Sequence, residues 1–250
     1  MLYPVSWSDA LEILPANKLS FLINGLQVPG SQEDNLCMKA YRLLMEFFNL
    51  PPVQIILLKS IPPGAGLGGG SSDGVTTIKM LNKLFGLNLS ADQLQHYAVS
   101  LGSDCPFFIE EKSCIVTGRG ELMEPFAVDL SGLYLKIIYP KVEISTAWAF
   151  KQLSSRRQFQ TIEDLNDRSE HSIKSVIRAT LTEWRDHLKN EFEDVVFMQY
   201  PQIADIKKKM YEEGAVYASL SGSGSAVYGL FEELPQINGD PRFIQFTSRL

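Results

Sequence analysis

Ile61-Pro62-Pro63-Gly64-Ala65-Gly66-Leu67-Gly68-Gly69-Gly70-Ser71-Ser72-Asp73 joins an apolar run to a helical pattern. The run, residues 53–58, is short and rich in Ile, Leu and Val, which reads as a buried strand. Across residues 74–85, Val75, Ile78, Leu81, Asn82 and Phe85 recur at helical spacing. A strand therefore feeds a glycine-rich loop, and the loop feeds a helix, with Ser71 or Ser72 expected as its cap. The glycines admit positive φ and let another molecule approach the backbone closely. Free N–H groups and the positive end of the helix dipole then converge on one point, a geometry that suits a phosphate chain.

Known phosphate loops narrow the reading. A Walker A loop needs a lysine before its Ser or Thr, and none precedes Ser71. Gly64, Gly66 and Gly69 satisfy Gly-x-Gly-x-x-Gly, but a dinucleotide turn leads to a helix and then to a strand ending in an acid about 20 residues on. Here Gly86-Leu87-Asn88 makes a turn and a second helical pattern comes after it. The remaining structural reading is a loop that binds nothing. Against it, binding residues concentrate on loops held by a rigid scaffold.

Three segments carry a resemblance. Residues 62–73 resemble the ATP motif Pro-x-x-x-Gly-Leu-Gly-Ser/Gly-Ser-Ser of the GHMP small-molecule kinases, which include galactokinase, homoserine kinase and mevalonate kinase. Leu101-Gly102-Ser103-Asp104-Cys105-Pro106-Phe107-Phe108 is similar to a second family segment. Residues 219–231, Ser-Leu-Ser-Gly-Ser-Gly-Ser-Ala-Val-Tyr-Gly-Leu-Phe, resemble its C-terminal glycine motif. The run from Gly64 to Asp73 is most similar to the branch that phosphorylates a cytidine diphosphate-linked polyol in isoprenoid precursor synthesis. The resemblance implies an α/β (α+β two-layer) fold in two domains. A ribosomal-protein-S5-like domain would span residues 1–132 and a ferredoxin-like domain residues 133–250, with the active site in the cleft between them. ATP and Mg²⁺ are the implied cofactors, and the partner is a small-molecule alcohol.

The resemblance also implies residue roles, position by position. Asp104 matches the family's proposed general base; as sequence alone it reads first as a turn aspartate bonding its own backbone. Pro62, Gly64, Ala65, Gly66, Leu67, Gly68, Gly69, Gly70, Ser71 and Ser72 match the ATP loop, the two serines as phosphate or Mg²⁺ contacts. Asn35 matches an adenine contact and Lys59 a lysine near the nucleotide; structurally they read as a helix N-cap and a solvated strand end. Asp73 reads as a capping residue or an indirect magnesium partner. Thr146 and Phe150 match positions lining a cytidine pocket, where an aromatic could stack on the pyrimidine, although Phe150 also fits a buried helix residue. Ser221, Gly222, Ser223 and Gly224 match a turn at the phosphate end of the substrate site; alone they would be a tight hairpin turn.

Composition removes other classes. A net charge of −6 argues against non-specific nucleic-acid binding. No apolar run is long enough to span a bilayer, and no signal peptide pattern opens the chain. Cys37, Cys105 and Cys114, like His96, His171 and His187, lack metal-ligand spacing, and the thiols fit a reducing cytoplasm. Lys207-Lys208-Lys209 reads as a solvated helix face.

Pattern gives further elements: an extended stretch at 5–14, strands at 19–23, 133–139, 216–220 and 226–231, helices at 35–48 and 203–213, and a hairpin at 114–126. Ser90-Ala91-Asp92-Gln93 is a capping box for a helix ending at Gly102. Residues 154–168 read as a loop, with a helical stretch after it to residue 188. The family's opening segment, on the order of 30 residues with a first strand and an active-site lysine, has no counterpart here; a sheet lacking that strand would show an open edge. Tyr3 to Ile13 resembles the family's sequence immediately C-terminal to that segment, and residues 15–20 read as strand-turn-strand. Two alternatives stand beside the main reading: a GHMP kinase for another alcohol, which a substrate panel separates, and a nucleotide-binding relative that turns nothing over.

Overall fold

The computed structural model describes residues 1–118, 120, 122–157, 173–236 and 239–250. It contains two compact units, one of Met1–Pro63 and Gly68–Ala127, the other of Gly64–Leu67 and Val128–Leu250.

In the first unit, β3 (Val53–Lys59) is the central strand of three. β1 (Ala10–Pro15) lies antiparallel to it and β2 (Ser20–Gly25) parallel. The parallel pair needs a crossover, and α1 (Leu36–Phe48) supplies it. Val53, Ile55 and Leu57 face α1 and α2 (Gly69–Phe85) and form one core with Tyr41, Leu44, Ile78 and Leu81. The strand period of two puts Lys59 on the same inward face, and it is buried. α3 (Ala91–Leu101) opens on the anticipated capping box, and α4 (Phe107–Glu110) comes next. β4 (Cys114–Thr117) and β5 (Leu122–Pro125) pair antiparallel, while Leu2 bridges to Cys114. Arg119 of that anticipated hairpin lies outside the described residues.

In the first unit two boundaries differ from expectation by five residues. Regular strand begins at Ala10, not residue 5. α2 starts at Gly69, five residues before the pattern at 74, because its first turn is glycine and serine and carries no apolar signal. Ser71 and Ser72 therefore lie inside the helix; Gly68, in the left-handed region at φ 71°, is its N-cap.

The second unit is a four-stranded antiparallel sheet of β6 (Tyr134–Tyr139), β7 (Tyr217–Leu220), β8 (Val227–Phe231) and β9 (Ile244–Arg249), in the order β7-β8-β6-β9. That is the ferredoxin-like order, although the described residues between β8 and β9 form no helix. α5 (Thr146–Arg157), α6 (Ile173–Arg178), α7 (Leu181–His187), α8 (Glu193–Gln199) and α9 (Pro201–Glu212) complete the unit. Val196, Ile203, Met210, Ala218 and Val227 are fully buried in its core. The loop expected at 154–168 is corrected at its start, since residues 154–157 end α5; the rest, with His171, lies outside the described residues. His96 and His187 are exposed on helices, as expected. Lys207 does not sit on a solvated face: its ammonium donates to the buried Glu193 at 2.6 Å. Among the described residues no helix is long and apolar enough to cross a membrane.

The α3 cap gives a direct stability test. Ser90 Oγ accepts the Gln93 N–H, and Gln93 Oε1 accepts the Ser90 N–H. Ser90→Ala should cost about 1 kcal/mol, a fall in Tm of about 2–4 °C in a chain of this size, read by thermal melting.

Candidate functional site

The first candidate region is the start of α2. Ser72 N–H donates to the Gly68 carbonyl at 3.0 Å, so the helix offers no acceptor to the N–H groups of Gly69, Gly70 and Ser71. The N-cap, Gly68, has no side chain to cap them, and no acid stands in the first turn. Gly70 is open: a Cβ there would meet only Leu36 Cδ1, at 4.0 Å. Gly68 and Gly69 are packed, against the Phe108 ring and against Ile61 and Lys59. Pro62 is buried just upstream.

The Asp104 turn packs against this helix start. Cys105, Val75 and Ala98 form a small core with Leu36, Leu101 and Phe108 around it. Burial pushes the Cys105 thiol up, a hydrogen bond from Ser71 offsets part of that, and the nearby Asp104 charge adds to it. Lys79 Nζ on α2 donates to the Phe108 carbonyl at 2.5 Å. Asp104 itself is exposed, with Ser103 Oγ 3.4 Å from its carboxylate. An accessible carboxylate thus stands on a turn anchored to α2.

Asn35 caps α1, its Oδ1 accepting the Cys37 N–H at 2.9 Å. It also lines an open cavity of about 540 Å³ with Ile23, Asn24, Gly25, Leu26 and Gln32. Capping uses the amide oxygen and leaves the NH₂ as a donor, so capping and ligand contact are compatible.

In the second unit, residues 64–67 run beside the 221–225 turn. Ala226 N–H donates to the Ala65 carbonyl at 3.0 Å, and Ser221 Oγ donates to the Gly66 carbonyl at 2.8 Å. Gly66 lies at φ 78°, and a Cβ there would fall 2.1 Å from the Ser221 carbonyl oxygen, so only glycine fits. Leu67 is half-buried and Gly64 exposed. Thr146 Oγ1 and Ser223 Oγ are 3.0 Å apart. Gly224 N–H closes the turn onto the Ser221 carbonyl at 2.9 Å, and Gly222 is exposed. Phe150 is 55% exposed, not buried in a helix face, and packs edge-on against Phe192 with centroids 4.9 Å apart.

Lys59 departs furthest from its structural reading. Its side chain is only 3% exposed, and its ammonium donates to Asp9 at 2.5 Å and to Asp73 at 2.7 Å. The other Asp9 oxygen accepts the N–H groups of Ser60 and Ile61 at 2.6 and 2.8 Å. Asp73 is buried within α2 and does not cap it. Burial pushes the Asp73 carboxyl up to about 6, with Lys59 opposing that and Asp9 adding to it. Sequence reasoning missed Asp9 and the pairing of Asp73. The period-two alternation of β3 could have shown that Lys59 points inward and needs acidic partners, though not which acids supply them.

Comparison with known proteins agrees in family. Residues 35–112 match the model of the GHMP kinases N terminal domain, and residues 170–239 that of GHMP kinases C terminal. The 4-diphosphocytidyl-2-C-methyl-D-erythritol kinase of Bacteroides thetaiotaomicron is 45% identical over 99% of this chain and 89% of its own length. That of Cytophaga hutchinsonii is 41% identical over 94% and 83%. A crystal structure of 4-(cytidine 5'-diphospho)-2C-methyl-D-erythritol kinase superposes with a TM-score of 0.70 at 26% identity, covering 89% of this chain and 76% of that one. A homoserine kinase from Cytophaga hutchinsonii shares the fold at TM-score 0.73 and 17% identity, covering 96% and 84%.

The Lys59 cluster makes a signed pH prediction. The Asp73 carboxyl titrates higher in the fold than free, so its contribution is complete below about pH 4 and is lost as pH rises through about 6. Melting curves from pH 5 to 8 should therefore show the wild type losing ground to Asp73→Asn as pH rises. Lys59→Met strands two buried carboxylates and should cost about 3–5 kcal/mol, more at pH 8 than at pH 5.

Proposed function

The chain belongs to the GHMP kinases, among the 4-diphosphocytidyl-2-C-methyl-D-erythritol kinases, and we propose that it transfers the γ-phosphoryl group of ATP to the 2-hydroxyl of 4-diphosphocytidyl-2-C-methyl-D-erythritol. The observation that carries this is identity of 45% sustained over 99% of the chain. It is an ATP-dependent small-molecule kinase of isoprenoid precursor synthesis, and its three buried free thiols suit a reducing cytoplasm.

The geometry suggests the division of roles. The open N–H groups of Gly69, Gly70 and Ser71 and the dipole of α2 hold phosphate oxygens. Pro62 and residues 64–68 shape the approach to them. The Asn35 amide and its cavity suit the adenine. Lys59 acts from beneath, fixing the end of β3 against the start of α2. Asp104 accepts the proton of the attacking hydroxyl, whose oxygen bonds to the γ-phosphorus as the bond to ADP breaks. The Ser71 and Ser72 hydroxyls are hard oxygen donors of the kind Mg²⁺ takes. Mg²⁺ is commonly held by few protein ligands together with substrate phosphates, so the ATP phosphates would share its coordination with these hydroxyls. Ser221, Gly222, Ser223 and Gly224, with Thr146, bind the phosphate-bearing part of the substrate, and the exposed ring of Phe150 is free to stack on cytosine. This division assigns nucleotide binding to residues 1–132 and substrate contacts to residues 133–250.

Two measurements test it. Gly70→Val adds bulk where the protein leaves space, so ATP affinity by calorimetry should fall more than tenfold, about 1.4 kcal/mol, with Tm nearly unchanged. Gly68 and Gly69 are poorer probes because their substitution would also disturb Phe108 and Ile61. Asp104→Asn should keep ATP affinity and lose about 10²–10⁴ in kcat; retention of most turnover would remove Asp104 as the base.

A further inference from the structure

Among the described residues β7 is an edge strand, and its outward backbone groups have no neighbouring strand. Side chains take that place. The Tyr211 hydroxyl accepts the Ala218 N–H at 3.1 Å and donates to the Ala218 carbonyl at 3.2 Å. Two residues on, Glu193 Oε1 accepts the Leu220 N–H at 2.9 Å and the Ser219 hydroxyl at 3.1 Å. Asn190 Nδ2 donates to the Leu220 carbonyl at 2.9 Å. The same nitrogen donates to the Gly222 carbonyl at 2.8 Å, beyond the strand and inside the turn.

That last bond has a directional effect. A peptide unit is planar and trans, so its N–H points opposite to its C=O. Holding the Leu220 carbonyl sends the Ser221 N–H the other way, where it meets the Ala226 carbonyl at 2.8 Å. Holding the Gly222 carbonyl sends the Ser223 N–H away from Asn190 in the same manner. Ser223 is only 8% exposed, and among the described residues no backbone carbonyl accepts its N–H. A backbone N–H that no carbonyl accepts is left for a ligand or water to take. Asn190 is itself fixed, its Oδ1 accepting the Phe192 N–H at 3.0 Å. Glu193 is fixed by Lys207.

We infer that Asn190 is a positioning residue: through the Gly222 carbonyl it aims the Ser223 N–H, and the Ser223 hydroxyl paired with Thr146, at anionic phosphate oxygens of the substrate. This rests on the reading that the 221–224 turn binds substrate. Asn190 touches no substrate atom; it sets the peptide plane that does. The interaction is with a diphosphate-bearing substrate, so nucleotide affinity is independent of it.

The test is calorimetric, on the full chain, with 4-diphosphocytidyl-2-C-methyl-D-erythritol and with ATP as separate titrants. Asn190→Asp keeps the shape but sets a carboxylate oxygen against two carbonyls. Substrate Kd should rise about 5–10-fold, the scale of one lost hydrogen bond, with ATP Kd unchanged. Asn190→Ala, which removes the donor without adding repulsion, should move substrate Kd the same way by less and serves if the first variant folds poorly. Tyr211→Phe, which strips a comparable edge contact away from the turn, should lower Tm and leave substrate Kd alone. Unchanged substrate Kd in a folded Asn190 variant overturns the inference, as does an equal loss in Tyr211→Phe, which would mark a merely structural effect. Ser223→Ala separates the two levels. If it raises substrate Kd while the Asn190 variants do not, positioning falls and the turn reading stands. If neither changes Kd, both fall.

Discussion

One ammonium group organises the first unit. Lys59 stands where the last inward position of β3 meets the first turns of α2, and its two carboxylates come from residues 50 positions before it and 14 after it. Charges this far from water are stable only when paired, so the cation fixes the segment before β1, the end of β3 and the start of α2 at one point. Buried ion pairs add little net stability over a well-packed apolar substitute, and their best-attested use is to fix one arrangement. Here the arrangement is that of the helix start whose N–H groups are left open. Asp9 extends the effect along the chain, because its second oxygen holds the two N–H groups through which β3 leaves the sheet.

The second unit solves a different problem with similar means. An edge strand leaves backbone groups unpaired and invites another strand to add on. Tyr211, Glu193 and Asn190 occupy that edge with side chains from α9 and from the residues around the start of α8. Each can contact the strand only at its own spacing. The edge is thereby closed to strand addition, and the turn after it is held by a residue distant in sequence.

Much of this was legible in the chain. Apolar runs and helical spacing marked β2, β3, β6, β7, β8, α1, α3 and α9, and the capping box at Ser90 is present as read, while α4, α5, α8 and β9 went unread. The Asp104 segment and the glycine loop announced themselves by residue type. The features that escaped did so for physical reasons. A helix that begins with Gly-Gly-Ser-Ser has no apolar periodicity until it is five residues old. The Lys59 cluster is non-local, and a lysine at a strand end looks solvated until the face of the strand is counted. Lys207 looked like one of three surface cations, but helical geometry turns it toward Glu193 and leaves Lys208 to pair with Glu212 at 3.7 Å. β9 is half-buried from Ile244 to Ser248, so its alternation is faint.

The glycine loop is also the reason the chain resists division. It enters the second unit at residue 64, returns to the first at 68, and leaves again at 128. Neither unit is therefore a contiguous fragment. A polypeptide starting at residue 128 would carry the whole antiparallel sheet yet lack four residues of its own, and the Ala226 amide and Ser221 hydroxyl would lose the carbonyls that accept them. Modular exchange of the C-terminal half between relatives would meet the same constraint: a graft would have to bring its matching tetrapeptide with it. The loop and the turn it lies against are one structural unit, although 155 residues separate Gly66 from Ser221.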